Sequence, residues 1–298
     1  NSNLRAEIHP SDITFRLAPR INAAGRVGDA SIALSLLQSE DIVQAYEFAN
    51  TLEQYNGVRQ EKEQEIYDQA KKQIEECLDV ENKYSILVYG RDWHQGVIGI
   101  VASRLARDFN RPAIVLTLHD SEAHGSGRSI ADLNLIQLLT KTSHLLDRFG
   151  GHPMAVGVGL QVNKIEQFAV ELEKEVRLSL KKSDLAASIN YEGSIQLEEV
   201  DSEYFRLAEF LNPFGHSNPK PIYRLNELEI AKCFPVGKRH CRGMVRHRTG
   251  MCMDFIAFNR SVEEFDGPLF DVLATPQMND YYQVQRPQLQ ILDLKPVY

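Results

Sequence analysis

A chain of 298 residues, 43% apolar and 25% charged, is long enough for about two globular domains, and it carries a net charge of −8. Its longest apolar runs, around Gly96–Ala102 and Ala113–Leu118, fall far short of the roughly 20 residues that span a bilayer. The opening Asn1-Ser2-Asn3-Leu4 has none of the regions of a signal peptide and no initiator Met, so the chain reads as processed or truncated. The cysteines, Cys77, Cys233, Cys241 and Cys252, form no CxxC pair and read as reduced thiols of a cytoplasmic protein. A zinc site from the last three with His240 is the alternative.

The predicted elements begin with helix over 30–56, where Ala33, Leu34, Leu37, Val43, Tyr46, Phe48, Ala49 and Leu52 recur at helical spacing. A second, highly charged helix is predicted over 58–79, with Ile66, Ala70, Ile74 and Cys77/Leu78 as its narrow apolar stripe; so polar a helix reads as a bridge between domains. Residues 40–82 hold 12 acidic and 4 basic side chains, which accounts for the whole net charge. An α/β unit follows: strand Tyr84–Tyr89, helix Gly96–Phe109, strand Ala113–Leu118, and a third strand Ala123–Ile130. Leu133–Phe149 reads as an amphipathic helix stopped by Gly150-Gly151. Ala155–Leu160 reads as a buried strand, and Asn163 as the cap of a helix running to about Leu180. Lys181–Ser188 reads as a linker.

Beyond it the pattern is β. Ile222–Phe234, Cys241–His247, Met251–Phe258, Phe270–Ala274 and Gln288–Leu294 read as five short strands, with one helix at about Ser202–Leu211. Five strands in about 100 residues suit a small barrel of the OB type. Residues 232–260 carry Lys232, Lys238, Arg239, Arg242, Arg246, Arg248 and Arg260 against one acid, Asp254, which is either the footprint of a polyanion binder or a solvated face.

Gly125-Ser126-Gly127-Arg128-Ser129 is the most chemically suggestive run. Its glycines admit close approach, its hydroxyls donate hydrogen bonds, and the Arg128 fork can hold a phosphate by two parallel bonds. It reads as a terminal-phosphate clamp or as a Gly-Ser turn with a surface arginine. In Phe149-Gly150-Gly151-His152-Pro153, His152 is either a proton shuttle and phosphate donor or a satisfied histidine at a helix end. Trp93–Gly99 lies between strand and helix, where helix-start amides suit an anion and glycines suit tight packing; packing is the preferred reading of Gly96 and Gly99. Pro19–Arg26 sets two arginines and Asn22 among small residues. His119–His124 looks like a metal cluster but falls in a turn and strand, where alternate side chains diverge. There is no GxxxxGK[ST] loop, GxSxG elbow or HExxH helix, and no Asp/His cluster that would hold two metal ions.

In this order, Pro19–Arg26, Trp93–Gly99 continuing to Leu105, Arg111–Val115, Gly125–Ile130 and Phe149–Pro153 resemble the RecJ family of the DHH phosphoesterase superfamily. Asn212–Gly215, Asn218–Pro221 and Gln288–Ile291 resemble that family's OB-like domain. The resemblance covers nearly the whole chain. It implies an α/β plus β architecture: the end of a DHH catalytic domain (1–56), a connecting helix (57–82), a mixed α/β DHHA1 domain (83–182) and an OB-fold nucleic-acid-binding domain (188–298). It implies a hydrolase of DNA repair and recombination, a 5′→3′ single-strand exonuclease, with single-stranded DNA threading between the DHH and DHHA1 domains. Its protein-partner candidates are a single-strand-binding protein or a helicase. By analogy Ser126 and Arg128 would hold the 5′-phosphate, Ser129, Gly127 and Gly151 would also bind substrate, catalytic His152 would lie by the scissile phosphate, and Asn22 and Arg26 would contact the strand from the catalytic side. Lys238, Arg239, Arg242, Arg246 and Arg248 of the barrel would track the strand, with Phe234, Phe255, Phe258 and Tyr281/Tyr282 as stacking platforms or core. The family's Mn²⁺ or Mg²⁺ ligands lie in motifs upstream of Asn1, so this chain is expected to bind no metal and to be inactive alone. Two departures are Pro153-Met154-Ala155-Val156-Gly157, where the family has more alanine, and the absence of a glycine from 279–287. A non-catalytic single-strand-binding module, and a DHH phosphoesterase acting on oligonucleotides or cyclic dinucleotides, are the competing readings.

Overall fold

The computed structural model describes residues 10–77, 79, 81–130, 133–215, 217–237, 240–279 and 286–297. They form two compact units, Asn1–Ala187 and Ser188–Tyr298. The first unit opens with a helical turn α1 (Pro10–Asp12), which passes through a π-helical stretch into α2 (Ala18–Val27) and then α3 (Ser31–Gln38). The expected helix over 30–56 is broken at residues 39–41, and α4 instead runs unbroken from Ile42 to Cys77. Asp41 starts it by accepting the Val43 amide at 2.8 Å. A glycine inside a helix costs only about 1 kcal/mol. Gly57 does not interrupt α4, because Leu52 packs with Ala24 and Ala33 before it and Ile66, Tyr67, Ala70 and Ile74 join the main core after it.

The strand–helix–strand reading holds: β1 (Ile86–Arg91) pairs in parallel with β2 (Ala113–His119) across α5 (Gln95–Phe109). The antiparallel strands β3 (Glu122–Arg128), β4 (Arg148–His152) and β5 (Ala155–Gln161) complete a sheet of order β1-β2-β3-β5-β4. One face is covered by α4 and α5, through Ile98, Val101 and Leu105. The other carries α6 (Leu135–Lys141) and α7 (Ile165–Ser179), through Leu135, Leu139, Phe168 and Leu172.

Two expectations fail here. Leu133–Phe149 is not one helix: α6 is capped by the Asn134 side chain, a 3-10 turn follows at Ser143–Leu145, and Arg148–His152 is an edge strand. Gly150-Gly151 therefore stops no helix. Gly151 sits at φ +137°, where a Cβ would lie 2.3 Å from the Ala155 carbonyl oxygen, so it is the glycine that lets β4 turn into β5. Asn163 is no cap either, because it lies inside a 3-10 turn, Val162–Lys164, and α7 begins without a side-chain cap bond.

The second unit holds a two-residue β6 (Gly193–Ser194), α8 (Ser202–Glu209) and five long strands: β7 (Tyr223–Val236), β8 (His240–Arg246), β9 (Cys252–Phe258), β10 (Leu269–Asn279) and β11 (Arg286–Val297). Pairing of β10 with β7 closes the barrel, which is the OB-like architecture the strand count implied. Phe255 and Phe265 stack in its core beside Phe270.

A polar latch ties the β8–β9 turn to the segment before α8. Glu198 accepts the Thr249 hydroxyl and lies 2.7 Å from the buried His247 Nδ1. The Thr249 bond first, then that of His247, brings the Glu198 pKa down from 4.5 to about 2. A depressed folded value contributes stability that is complete above the unfolded pKa and lost as pH falls through the folded one. Thermal melts should therefore show wild type above Glu198→Gln by a full margin above pH 4.5, closing as pH falls towards 2. A margin that does not change with pH would contradict the latch.

Candidate nucleic-acid interface

The register of the three antiparallel strands sets side chains in rows, since directly opposed residues share a face and alternate residues change face. Arg128, Ala155 and His152 form one row, Ser126, Gly157 and Gly150 the next, and His124, Gly159 and Arg148 a third. All nine stand on the face that α5 partly covers. A methyl at Gly99 of α5 would sit 3.2 Å from Arg128 Nη2 and 3.4 Å from Ser126 Oγ, so both polar groups converge there. In the middle row a Cβ on Gly150 would meet nothing within 4 Å, and one on Gly157 only the Gly125 carbonyl oxygen at 3.9 Å. The result is a shallow open trough with a backbone floor, bounded by Ser126 and Arg128 on one side and His152 on the other.

Arg26 reaches the same place from α2. Its Nη1 donates to the Gly96 carbonyl at 3.1 Å, and a Cβ on Gly96 would fall 2.2 Å from the Arg26 carbonyl oxygen. Gly96 is thus a packing glycine, as expected, and its packing brings the end of α2 onto the start of α5. The amide of Gly96 is already taken by the His94 ring, which caps α5.

Arg128 donates to its neighbour's carbonyl, that of Gly127, at 2.8 Å, and no carboxylate pairs with Arg26 or Arg128 among the described residues. Burial first, and then the charge of Arg26, push the Arg128 pKa down. A guanidinium stays protonated regardless. A cation crowded by a second cation makes a place where an anion is stabilised. Asn22 is exposed one helical turn before Arg26 on the same side of α2.

Other expected site residues stand elsewhere. Ser129 is buried and donates its hydroxyl to the Leu133 carbonyl at 2.6 Å. Gly127 faces the α6 side, where a Cβ would meet Val156 Cγ2 at 2.7 Å. Gly151 shapes the β4–β5 turn. None of the three turns a side group to the trough.

In the barrel unit, the acids that meet the basic run lie outside the segment that holds it. Arg246 forks onto Glu229 at 2.9 and 2.5 Å, Arg260 binds Glu264 and Asp293, and Arg248 lies 3.9 Å from Glu227. Lys238, Arg239, Tyr281 and Tyr282 lie outside the described residues. Arg242 is exposed, opposite Phe234 on β7 and Ile256 on β9. Phe234 and Phe258 are 53% and 49% exposed while Phe255 is fully buried, and His240 meets Phe258 edge-on. This outer surface pairs a cation with two aromatic faces, the combination that stacks unpaired bases.

Residues 81–178 match the model of the DHHA1 domain and residues 191–293 that of the RecJ OB domain. The chain is 32% identical to the single-stranded-DNA-specific exonuclease RecJ of Bacillus subtilis, covering 96% of this chain and 37% of that protein. It is 34% identical to RecJ of Escherichia coli, over 84% of this chain and 44% of that one. The crystal structure of Thermus thermophilus RecJ in complex with Mn²⁺ superposes with a TM-score of 0.82 at 25% identity, over 97% of this chain and 42% of that chain. Its Mg²⁺ complex gives 0.81 at 26% identity. The chain spans roughly two fifths of the length of these relatives.

Proposed function

The chain carries a DHHA1 domain followed in sequence by a RecJ OB domain, and from that premise we propose that it supplies the grip of a 5′→3′ single-stranded-DNA exonuclease. Arg26 and Arg128, two adjacent guanidiniums without a carboxylate, carry the reading: they and the Ser126 hydroxyl hold the terminal 5′-phosphate, with Asn22 beside them. The strand then lies over the floor of Gly157 and Gly150. There His152 donates to a phosphate oxygen as charge develops during cleavage. On the barrel, Arg242 with Phe234 and Phe258 holds the single strand by charge and stacking.

Among the described residues no three His, Cys, Asp or Glu side chains converge as a metal-holding group. In such an exonuclease the Mn²⁺ or Mg²⁺ would be held by carboxylate and histidine groups other than those described. This chain alone would then bind DNA without hydrolysing it. A companion catalytic domain would cover the exposed apolar side chains of Leu37, Ile42, Val43 and Tyr46 at α3 and the start of α4. A cytoplasmic setting would keep the four free thiols reduced.

A salt titration tests the grip. The chain in EDTA should bind a labelled oligo-dT, with log affinity falling by about 0.7 per phosphate contacted for each tenfold rise in salt. Absence of binding, or binding indifferent to salt, would contradict it.

A further inference from the structure

We propose that Arg148, held by His124, is a second phosphate-binding position that takes a backbone phosphate internal to the strand. Arg148 begins β4, in the row next to Ser126 and Gly150. Its side chain lies flat on the sheet, because Gly159 beneath it has no Cβ: one there would be 2.8 Å from Arg148 Cγ and 2.9 Å from Nε. The guanidinium Nη2 stands 3.1 Å from His124 Nδ1. An arginine only donates, so Nδ1 is the lone-pair nitrogen and Nε2 carries the hydrogen. The Glu122 carboxylate lies on that side of the ring, its Oε2 3.3 Å from Nε2.

The consequence is electrostatic. A carboxylate in the place of His124 would neutralise Arg148. A neutral imidazole orients the guanidinium and leaves its full charge, with most of its N–H groups unengaged. No carboxylate pairs with Arg148 among the described residues. Arg148 is thus a third uncompensated arginine on this face, after Arg26 and Arg128. Its row lies about 7 Å from that of Ser126, two residues along each strand. That step is comparable to the spacing of successive phosphates in an extended strand. A ligand with a terminal phosphate alone satisfies only the Arg26–Arg128 end, and a polynucleotide satisfies both.

This inference rests on the reading of the trough as a 5′-end site, and the two are separable by experiment. The 298-residue chain is titrated in EDTA with 5′-phosphorylated dT mononucleotide, and with dT tetranucleotide bearing a 5′-phosphate or a 5′-hydroxyl. Arg148→Met should leave the mononucleotide unchanged, weaken both tetranucleotides by about tenfold, and reduce their salt slope by about 0.7. Arg148→Lys should recover part of the slope, and His124→Ala should weaken the tetranucleotides while sparing the mononucleotide. Tetranucleotide affinity and slope unchanged by Arg148→Met would overturn the proposal, as would an equal loss on the mononucleotide. If wild type ignores the 5′-phosphate, the terminal-phosphate reading falls, and the tetranucleotides still decide the role of Arg148.

Discussion

Arg128→Ala should weaken binding of a 5′-phosphorylated single strand by roughly 10- to 100-fold, and that of the same strand with a 5′-hydroxyl far less. A charge-assisted hydrogen bond is worth about 1.5–3 kcal/mol, and the guanidinium fork offers two. The group is partly buried beside Ser126 and against Gly99, so little water competes for it. The loss should concentrate in the 5′-phosphate because Arg128 has no carboxylate to release when it is removed. Folding should be little affected, since its hydrogen bond within the protein is to the adjacent Gly127 carbonyl. Oligonucleotide titrations at matched salt, with thermal melts as control, check both parts.

Glu173→Ala should have the largest effect on stability, about 2–4 kcal/mol. This carboxylate on α7 is buried and accepts the amides of Tyr84 and Ser85 at 3.0 and 2.9 Å and the Ser85 hydroxyl at 2.7 Å, with Arg177 at 2.8 Å. It fastens α7 to the chain just ahead of β1. Burial raises its pKa, but the bonds from Ser85, Tyr84 and Arg177 outweigh that and leave it lowered. Its stabilisation is therefore complete above the ordinary carboxylate range and is lost as pH falls below it. Alanine leaves the Ser85 amide and hydroxyl buried without their acceptor. Denaturant melts at neutral pH should show a reduced midpoint, and a variant within 0.5 kcal/mol of wild type, roughly the scatter of ordinary surface changes, would contradict the role.

Much of the fold was legible because local pattern and long-range pairing agree. Residues 84–118 alternate strand, helix and strand with apolar periods that match their burial, and the five barrel strands carry period-two cores. Where pattern and pairing disagree, the sequence misleads. Leu138, Leu139 and Leu145 continue a helical spacing towards Phe149, but β4 gains five rows of pairing with β5, and pairing decides. Two helices were expected over 30–56 and 58–79, but the contacts that carry α4 through Gly57 come from α2, α3 and α5, which are distant in sequence.

The site was half legible. Ser126 and Arg128 stand out in a Gly-Ser run, and Arg26 in a run of small residues. Ser129 and Gly127 looked equal to them, but strand alternation sends Gly127 to the core, and the turn after β3 buries Ser129. The same alternation, applied to Arg148-Phe149-Gly150-Gly151-His152, would have put Arg148 with His152, had the segment been read as a strand. His124 could not be joined to Arg148 from sequence, because only the register of β3, β5 and β4 brings residues 24 apart together. The basic run of the barrel looked uncompensated for a related reason: Glu229, which neutralises Arg246, is on a neighbouring strand.

In the proposed grip Arg26, from helix α2, and Arg128, from strand β3, hold one phosphate between them. A double-mutant cycle measures this. Affinity for 5′-phosphate and 5′-hydroxyl oligo-dT is determined for wild type, Arg26→Ala, Arg128→Ala and the pair. Two arginines on one phosphate predict a wild-type preference for the phosphate, a loss of that preference in each single variant, and a double variant that loses clearly less than the product of the two single losses. Single losses that simply multiply, or a wild type indifferent to its strand's 5′ end, would contradict it.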